Sequence, residues 1–242
     1  MNSHDPHRRP PHTDGPDLAA LAGLLADGTR ATFCLALLDG RAWTANELAR
    51  HAGVAPSTAT GHLNRLVAGG LLTEERQGRH RYVRLADPET ADLIEHLAAR
   101  APRRADPPNS LLAVHRGRAL ARARTCYDHL AGTLGVAITT AMTGRGLLSW
   151  EHGLSLTPAG AAWLTGLGIA LPPATRRPPV RSCLDWTERR PHLAGAAGAA
   201  LCAHAFAAGW VEPVGTGRAV ALTTLGERVL AEGIGLSWAA GE

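Results

Sequence analysis

The spacing of hydrophobic positions changes at about residue 70. Before this point, apolar residues recur at three- and four-residue intervals in two adjacent segments, 44–53 and about 56–68, which predicts two short amphipathic helices. Beyond it, two short β-type runs, 71–73 and 81–83, predict a hairpin with a basic tip. Two helices followed by a hairpin is the order of a winged helix-turn-helix module, which places one helix in the DNA major groove.

The second predicted helix has a polar face that suits DNA. Its apolar positions, Leu63 and Leu66 among them, face the core, and small or polar side chains lie where base edges come within reach. We predict base contacts by Thr58, Thr60 and His62. We predict phosphate contacts by Ser57, Arg65, Arg76, Arg79, His80 and Arg81. The predicted partner is a double-stranded DNA operator, and the alternative is a winged helix kept for protein contacts.

Residues 17–100 resemble the ArsR/SmtB family of bacterial winged-helix repressors. The resemblance is carried by LAGLLADGTRATFCLALLDG (22–40), TANELARHAGVAPSTATGHLNRLVAGGLL (44–72) and DPETADLIEHLAA (87–99). It implies a homodimer that binds a roughly palindromic operator and releases it on sensing a signal. In that family the first and last helices of the module form the dimer interface, which here implies Leu18, Leu21, Leu25, Leu93 and Leu97. The alternative for about half of these leucines is the core of the module.

The metal sites of the resembled family do not transfer to this sequence. One of them uses a Cys-x-Cys pair, and the corresponding segment, 41–47, contains no cysteine. The other uses Asp and His pairs on the last helix of the module. Asp92, Glu95 and His96 are present there, but a second His cluster does not follow. Metal sensing of the usual family kind is therefore not expected.

The composition of the chain and its proline-rich, charged segments divide it into two domains. Segment 1–16 is rich in Pro, His and Arg and predicts a disordered arm, in which His4, His7 and His12 lack fixed metal-binding geometry. A winged-helix and dimerisation domain at 17–101 is followed by a linker at 102–109 and a sensor or interaction domain at 110–242. The net charge is +4, and every cationic side chain other than His is Arg. With no signal peptide and no long apolar run, we expect a cytoplasmic protein with no membrane partner.

The second domain contains an internal repeat. The segment HLAGTLGVAITTAMTGRG (129–146) aligns without a gap on HLAGAAGAALCAHAFAAG (192–209), and a hairpin and a helix are predicted after each. We interpret the repeats, about 124–170 and 182–238, as two degenerate winged-helix units that contain too few arginines to bind DNA. The predicted fold class is therefore mainly α with short β-hairpins (α+β).

Each repeat begins with a cluster of candidate sensor residues. Together the clusters contain Cys126, Tyr127, His129, Cys183, Asp185, Trp186, Arg189 and His192. A small organic effector between Tyr127, Trp186 and Arg189 is the favoured hypothesis. A metal ion held by Cys126, His129, Cys183 and His192 is an alternative, as is a thiol switch at the two cysteines. In the remaining interpretation these residues only join the repeats, with the aspartates as caps and the cysteines buried.

The sequence contains no motif that predicts catalysis. A P-loop, dinucleotide-binding glycines, an HExxH sequence and a nucleophile elbow are all missing from residues 110–242. We therefore expect no enzyme and no required cofactor. The expected function is a homodimeric repressor released by a signal in the second domain. The remaining alternative is a DNA-binding scaffold with a constitutive protein-interaction domain.

Overall fold

The structure, a computed structural model, describes residues 15–78, 80–102, 111–171, 178–215 and 217–238. Nearly all of the predicted arm at 1–16 and of the linker at 102–109 lies outside these ranges, and so does Arg79. Within these ranges no single helix has the length and apolar character needed to cross a membrane. The first two helices reach the required length and hydropathy only when they are counted together, and they are bent by 85° relative to each other.

The first domain is a winged helix-turn-helix. Its elements are α1 (Leu18–Leu25), α2 (Gly28–Leu37), β1 (Trp43–Thr44), α3 (Ala45–Ala52), α4 (Pro56–Ala68), β2 (Leu72–Gln77), β3 (His80–Leu85) and α5 (Pro88–Arg100). The two predicted helices lie where the sequence places them. The wing is longer than predicted, since β2 and β3 pair from Leu72 with Leu85 to Gln77 with His80. Strand β1 pairs with β3 and completes an antiparallel sheet of order β1-β3-β2.

Local signals fix the ends of the helix-turn-helix. The Thr44 hydroxyl accepts a hydrogen bond from the Glu47 amide, and the Glu47 carboxylate accepts one from the Thr44 amide, so a complete capping box starts α3. Gly53 ends α3 with a φ of +67°, in the left-handed region that glycine adopts at low cost. The apolar sides of α2, α3 and α4 meet in one core, which contains Phe33, Leu37, Leu48, Leu63 and Leu66.

The second domain is built from two repeats of the same element order. Helix α6 (Leu111–Arg122) precedes them. The first repeat is β4 (Arg124–Cys126), β5 (His129–Ala131), α7 (Gly132–Gly144), β6 (Leu148–Ser149), β7 (Ser155–Leu156) and α8 (Pro158–Gly166). The second is β8 (Arg181–Leu184), β9 (Pro191–Ala194), α9 (Gly195–Ala207), β10 (Val211–Pro213), β11 (Val220–Leu222) and α10 (Thr224–Ile234).

The order of elements corrects one detail of the sequence interpretation. Each repeat is hairpin, helix, hairpin, helix, and its first hairpin was not predicted. That hairpin stands directly before α7 or α9, where a winged helix would place a helix of its helix-turn-helix. The description of the repeats as degenerate winged-helix units is therefore not confirmed, although the repeat itself and its second hairpins lie where predicted.

The helix of each repeat packs on the first hairpin of the other. Helix α7 contacts β9, and α9 contacts β5. Two glycines at equivalent positions allow the close approach: a Cβ on Gly135 would lie 3.8 Å from the His192 Cβ, and one on Gly198 would lie 3.3 Å from the His129 Cβ. The same two positions would also bring a Cβ within 3 Å of a backbone carbonyl. The small residues of these helices thus hold the two hairpins against each other.

A buried ion pair joins the repeats at their first strands. The Arg124 guanidinium donates to Asp185 Oδ2 at 2.7 Å, and both side chains are fully buried. The same oxygen accepts a hydrogen bond from the Gly132 amide at the start of α7, while Oδ1 accepts bonds from the Thr187 and Glu188 amides. Burial opposes the charged form of Asp185, but Arg124 and these donors outweigh it and lower its pKa.

Replacing Asp185 with Asn should therefore destabilise the second domain. Arg124 would keep its charge in a buried site without a counterion, a change that typically costs about 3–5 kcal/mol. Urea unfolding would measure the loss, with Glu232→Gln, an exposed carboxylate on α10, as the control. A free energy of unfolding equal to that of the control would contradict this role of the ion pair.

Candidate metal centre and DNA-binding surface

Two short hairpins each place a cysteine directly opposite a histidine. Cys126 pairs with His129 in β4–β5, and Cys183 pairs with His192 in β8–β9. Directly opposed residues of an antiparallel pair point to the same face, with Cβ atoms about 4.5–5.5 Å apart. The spacings Cys-x2-His and Cys-x8-His look unrelated in the sequence, because the turns differ in length. In the structure, both spacings give the same arrangement, a cysteine directly opposite a histidine.

The two Cys/His pairs meet in a single buried cluster, the Cys/His centre. One ligand atom from each of Cys126, His129, Cys183 and His192 lies within 4.8 Å of all the others, and all four residues are buried. The two sulfurs are 3.8 Å apart, and the two Nε2 atoms are 3.1 Å apart. A tetrahedral ion with bonds of about 2.3 Å to sulfur and 2.0–2.1 Å to nitrogen requires separations of roughly 3.8 Å and 3.3 Å. These residues therefore fit a tetrahedral ion of the zinc type.

The surroundings of the Cys/His centre shift the pKa values of its four side chains. The Cys126 thiol beside Cys183 lowers the pKa of Cys183, and two imidazoles add to this against the effect of burial. Burial raises the pKa of Cys126. Burial lowers the pKa of His192, whereas Asp128, Cys183 and Glu95 outweigh burial at His129 and raise its pKa to about 9. A metal ion binds cysteine as the thiolate and histidine as the neutral imidazole, so its binding would release the protons that these groups hold.

Carboxylates surround the Cys/His centre. Asp128 Oδ1 lies 3.2 Å from His129 Nδ1, which orients that ring with Nε2 towards His192. Asp185 Oδ2 lies 4.0 Å from His192 Nδ1. Glu95 Oε2, from α5 of the first domain, lies 3.4 Å from Cys183 Sγ. Burial and the charge of Cys183 raise the pKa of Glu95 to about 7. Sequence reasoning missed Glu95 as a neighbour of the cluster.

The predicted walls of an organic pocket do not form one pocket. The Arg124 guanidinium lies over the Trp186 ring at 4.6 Å, and Arg189 is exposed in a left-handed turn conformation with a φ of +54°. Tyr127 lines a cleft of about 520 Å³ between the two domains, together with Asp39, Arg41, Phe206 and Arg218 among others. Neither Trp186 nor Arg189, both described residues, belongs to the lining of this cleft.

Some of the predicted DNA-binding residues are exposed, and others contact side chains of the first domain. The exposed ones on α4 and the wing are Ser57, Thr58, Thr60, Arg65, Arg76 and His80. Arg81 instead donates to Asn64 Oδ1 at 2.7 Å and pairs with Glu74, so it braces the wing against α4. The His62 ring packs edge-on against Phe33, with Nδ1 3.4 Å from Arg30 Nη1. This inward position argues against the predicted base contact by His62.

The leucines assigned to the dimer interface include two exposed ones. Leu18 of α1 is 72% exposed and Leu97 of α5 is 47% exposed, a high value for large apolar side chains. The other three are Leu21, Leu25 and Leu93, which are partly buried. Leu21 and Leu25 pack against the core of the first domain. The two exposed leucines thus leave an apolar surface on the outer helices of this domain.

Comparisons with known proteins agree with this architecture. Residues 25–75 match the helix-turn-helix domain family. The chain is similar to the uncharacterized HTH-type transcriptional regulator YdfF of Bacillus subtilis (strain 168), with 39% identity over 215 residues that cover 88% of this chain and 94% of the relative. It is also similar to the HTH-type transcriptional regulator CmtR of Mycobacterium tuberculosis (strain ATCC 25618 / H37Rv), with 38% identity over 80 residues, 33% of this chain and 67% of the relative.

Among solved structures, the chain is similar to that of the cadmium metal-sensor CMTR from Mycobacterium tuberculosis. It has 33% identity, covers 39% of this chain and 99% of its own, and has a TM-score of 0.31. The winged helix and the relative that spans nearly the whole chain define a DNA-binding regulator of transcription. The chain belongs to the ArsR family of such regulators and has an additional C-terminal domain.

The Cys/His centre predicts a metal-binding stoichiometry. The protein should bind one Co²⁺ per chain with the visible absorption of a tetrahedral thiolate site, because two sulfurs and two nitrogens surround one position. Replacing Cys126 and Cys183 together with Ser should abolish this absorption, whereas Cys202→Ser, at a buried cysteine of α9 outside the cluster, should leave it unchanged. Retention of one tetrahedral Co²⁺ by the double variant would contradict the assignment.

Proposed function

We propose that this regulator is a homodimeric repressor whose affinity for a palindromic operator is set by a thiophilic metal ion in its C-terminal domain. The ion is of the zinc class and is held by Cys126, His129, Cys183 and His192. The observation that carries the proposal is the convergence of these four buried side chains at the spacing of a tetrahedral site.

The donor set favours a metal ion over the organic effector that the sequence favours. Two thiolates neutralise a dication, so the bound Cys/His centre has little net charge in a buried environment. The residues predicted to enclose an organic molecule, Tyr127, Trp186 and Arg189, face different surroundings. The cleft at Tyr127 is open to solvent, and neither Trp186 nor Arg189 lines it.

The position of the centre explains how an ion would regulate. It joins β4–β5 to β8–β9, so occupancy ties the two repeats together. An ion can change operator affinity only if it binds the DNA-competent and the released geometry with different affinities. In the DNA-bound geometry the α4 helices of two protomers would enter successive major grooves about one helical turn apart. Binding to a chromosomal operator also fits the predicted cytoplasmic location.

A redox response is a second candidate that uses the same cysteines. Their sulfurs are 3.8 Å apart, and Cys183 has the lowered pKa of a reactive thiol. Hydrogen peroxide would accept two electrons from the two thiols. The S–S bond forms, the O–O bond breaks, and the two oxygens leave as two waters that include the two thiol protons. A disulfide would remove both sulfur ligands, so oxidation and metal binding would exclude each other.

Metal ions should lower the affinity for the operator. Fluorescence anisotropy on the DNA upstream of the protein's own reading frame should show tight binding by the metal-free, reduced protein. We expect Zn²⁺ to weaken binding by at least about tenfold, a typical allosteric coupling, and a chelator to restore it. Peroxide in place of Zn²⁺ tests the redox candidate. An ion that binds with unchanged operator affinity would make the centre purely structural.

Two exposed arginines should contact DNA phosphates. Replacing Arg65 and Arg76 together with Ala should weaken binding to all DNA. Because the dimer would lose four phosphate contacts at about 0.9 each, the slope of log affinity against log salt should become shallower by about 3.6. Arg228→Ala, at an exposed arginine of α10, is the control. If the double variant has the same salt slope as this control, Arg65 on α4 and Arg76 on the wing do not contact the DNA backbone.

The two exposed leucines should belong to the dimer interface. Replacing Leu18 and Leu97 together with Glu should convert the dimer to a monomer, because charged groups would be buried in an apolar contact. Sedimentation equilibrium would measure this, with Leu225→Glu as a control because Leu225 is 40% exposed on α10. A dimer that is as stable in the double variant as in the control would place the interface elsewhere.

A further inference from the structure

One acidic side chain of the DNA-binding domain reaches the Cys/His centre. Glu95 lies on α5, is 3% exposed, and places Oε2 3.4 Å from Cys183 Sγ. Its other oxygen, Oε1, is buried without a hydrogen-bond partner among the described residues. A buried carboxyl group with an unsatisfied oxygen is unusual, since such groups normally satisfy both oxygens. Asp185 shows the normal case, with hydrogen bonds to both of its oxygens.

Glu95 is part of a longer contact between α5 and β8. Asp92 precedes it by three residues, which places both side chains on one face of α5. Asp92 forms an ion pair with Arg181, and Glu95 contacts Cys183. Arg181 and Cys183 are two residues apart on β8 and therefore point to the same face of the strand. Helix α5 thus lies along β8 and is held by one ion pair and by one contact with a proposed metal ligand.

The two contacts respond differently to an ion. The Asp92–Arg181 pair contains no metal ligand, so occupancy of the centre leaves its partners unchanged. In the Cys183–Glu95 contact, the Cys183 thiol donates a hydrogen bond to Glu95 Oε2 at 3.4 Å. A metal ion binds the thiolate form of cysteine, so a metal-bound Cys183 has no thiol proton to donate. Metal binding therefore removes this hydrogen bond and leaves the ion pair between α5 and β8 in place.

We propose that Glu95 transmits the occupancy of the Cys/His centre to the DNA-binding domain. The inference rests on the proposed function, because it requires that the four residues bind a metal ion. Loss of the Cys183–Glu95 contact frees α5 to move along β8. Helix α5 also contains Leu93 and Leu97 of the proposed dimer interface, so its movement changes the distance between the two α4 helices. Operator affinity falls because the helices no longer match successive grooves.

Glu95→Gln is the decisive variant, because it keeps the size of the side chain and removes its charge. A glutamine amide can accept a hydrogen bond from the Cys183 thiol and can donate one to a metal-bound sulfur, so a contact remains in both states. Glu89→Gln is the matched control, at an exposed carboxylate in the first turn of the same helix. The full-length protein would be used, with Co²⁺ absorption to measure metal binding and anisotropy to measure operator affinity.

We expect Glu95→Gln to bind one Co²⁺ per chain while its operator affinity changes by less than about threefold between the metal-free and Zn²⁺-bound states. The wild type and Glu89→Gln should change by at least about tenfold. A Glu95→Gln variant that releases DNA as the wild type does would overturn the role of Glu95 and leave the metal-responsive function intact. A wild type that binds no ion, or binds one without releasing DNA, would overturn both.

Discussion

The buried pair of Arg124 and Asp185 fixes the geometry of the C-terminal domain. Arg124 begins the first strand of one repeat, and Asp185 follows the first strand of the other, so their contact sets the two hairpins side by side. The Gly132 amide adds the start of α7 to the same carboxylate. Because both charges are buried, neither can move away without leaving the other unpaired. The meeting of the two Cys/His pairs depends on this constraint.

The sequence predicts the first domain well for local reasons. Helices α3 and α4 are marked by a capping box, a glycine and a proline, which act within a few residues of the chain. The internal repeat could also be found, because 129–146 and 192–209 align without a gap. The wing strands extend beyond the short apolar runs from which they were predicted. Their outer parts contain charged residues such as Glu74 and Arg76, so the alternation of apolar and polar residues is weak there.

The four residues of the Cys/His centre stand out in the sequence, but their convergence does not. They lie about sixty residues apart in two pairs, and nothing local shows that the pairs face each other. The hairpin that forms the first pair has three-residue strands and turns through Tyr127, which adopts a φ of +59° without the glycine that usually signals such a turn. His62 shows a related difficulty: its position on α4 suggests an outward side chain, and packing against Phe33 turns it inward.

The repeat has one consequence for how the site is assembled. Each repeat contains only half of the donor set, one sulfur and one nitrogen. If the halves belonged to separate chains, a complete tetrahedral site would exist only above the concentration at which those chains associate. With both halves in one polypeptide, the effective concentration of one half at the other is set by the fold. The affinity of the proposed site for an ion would therefore be independent of how many copies of the protein the cell contains.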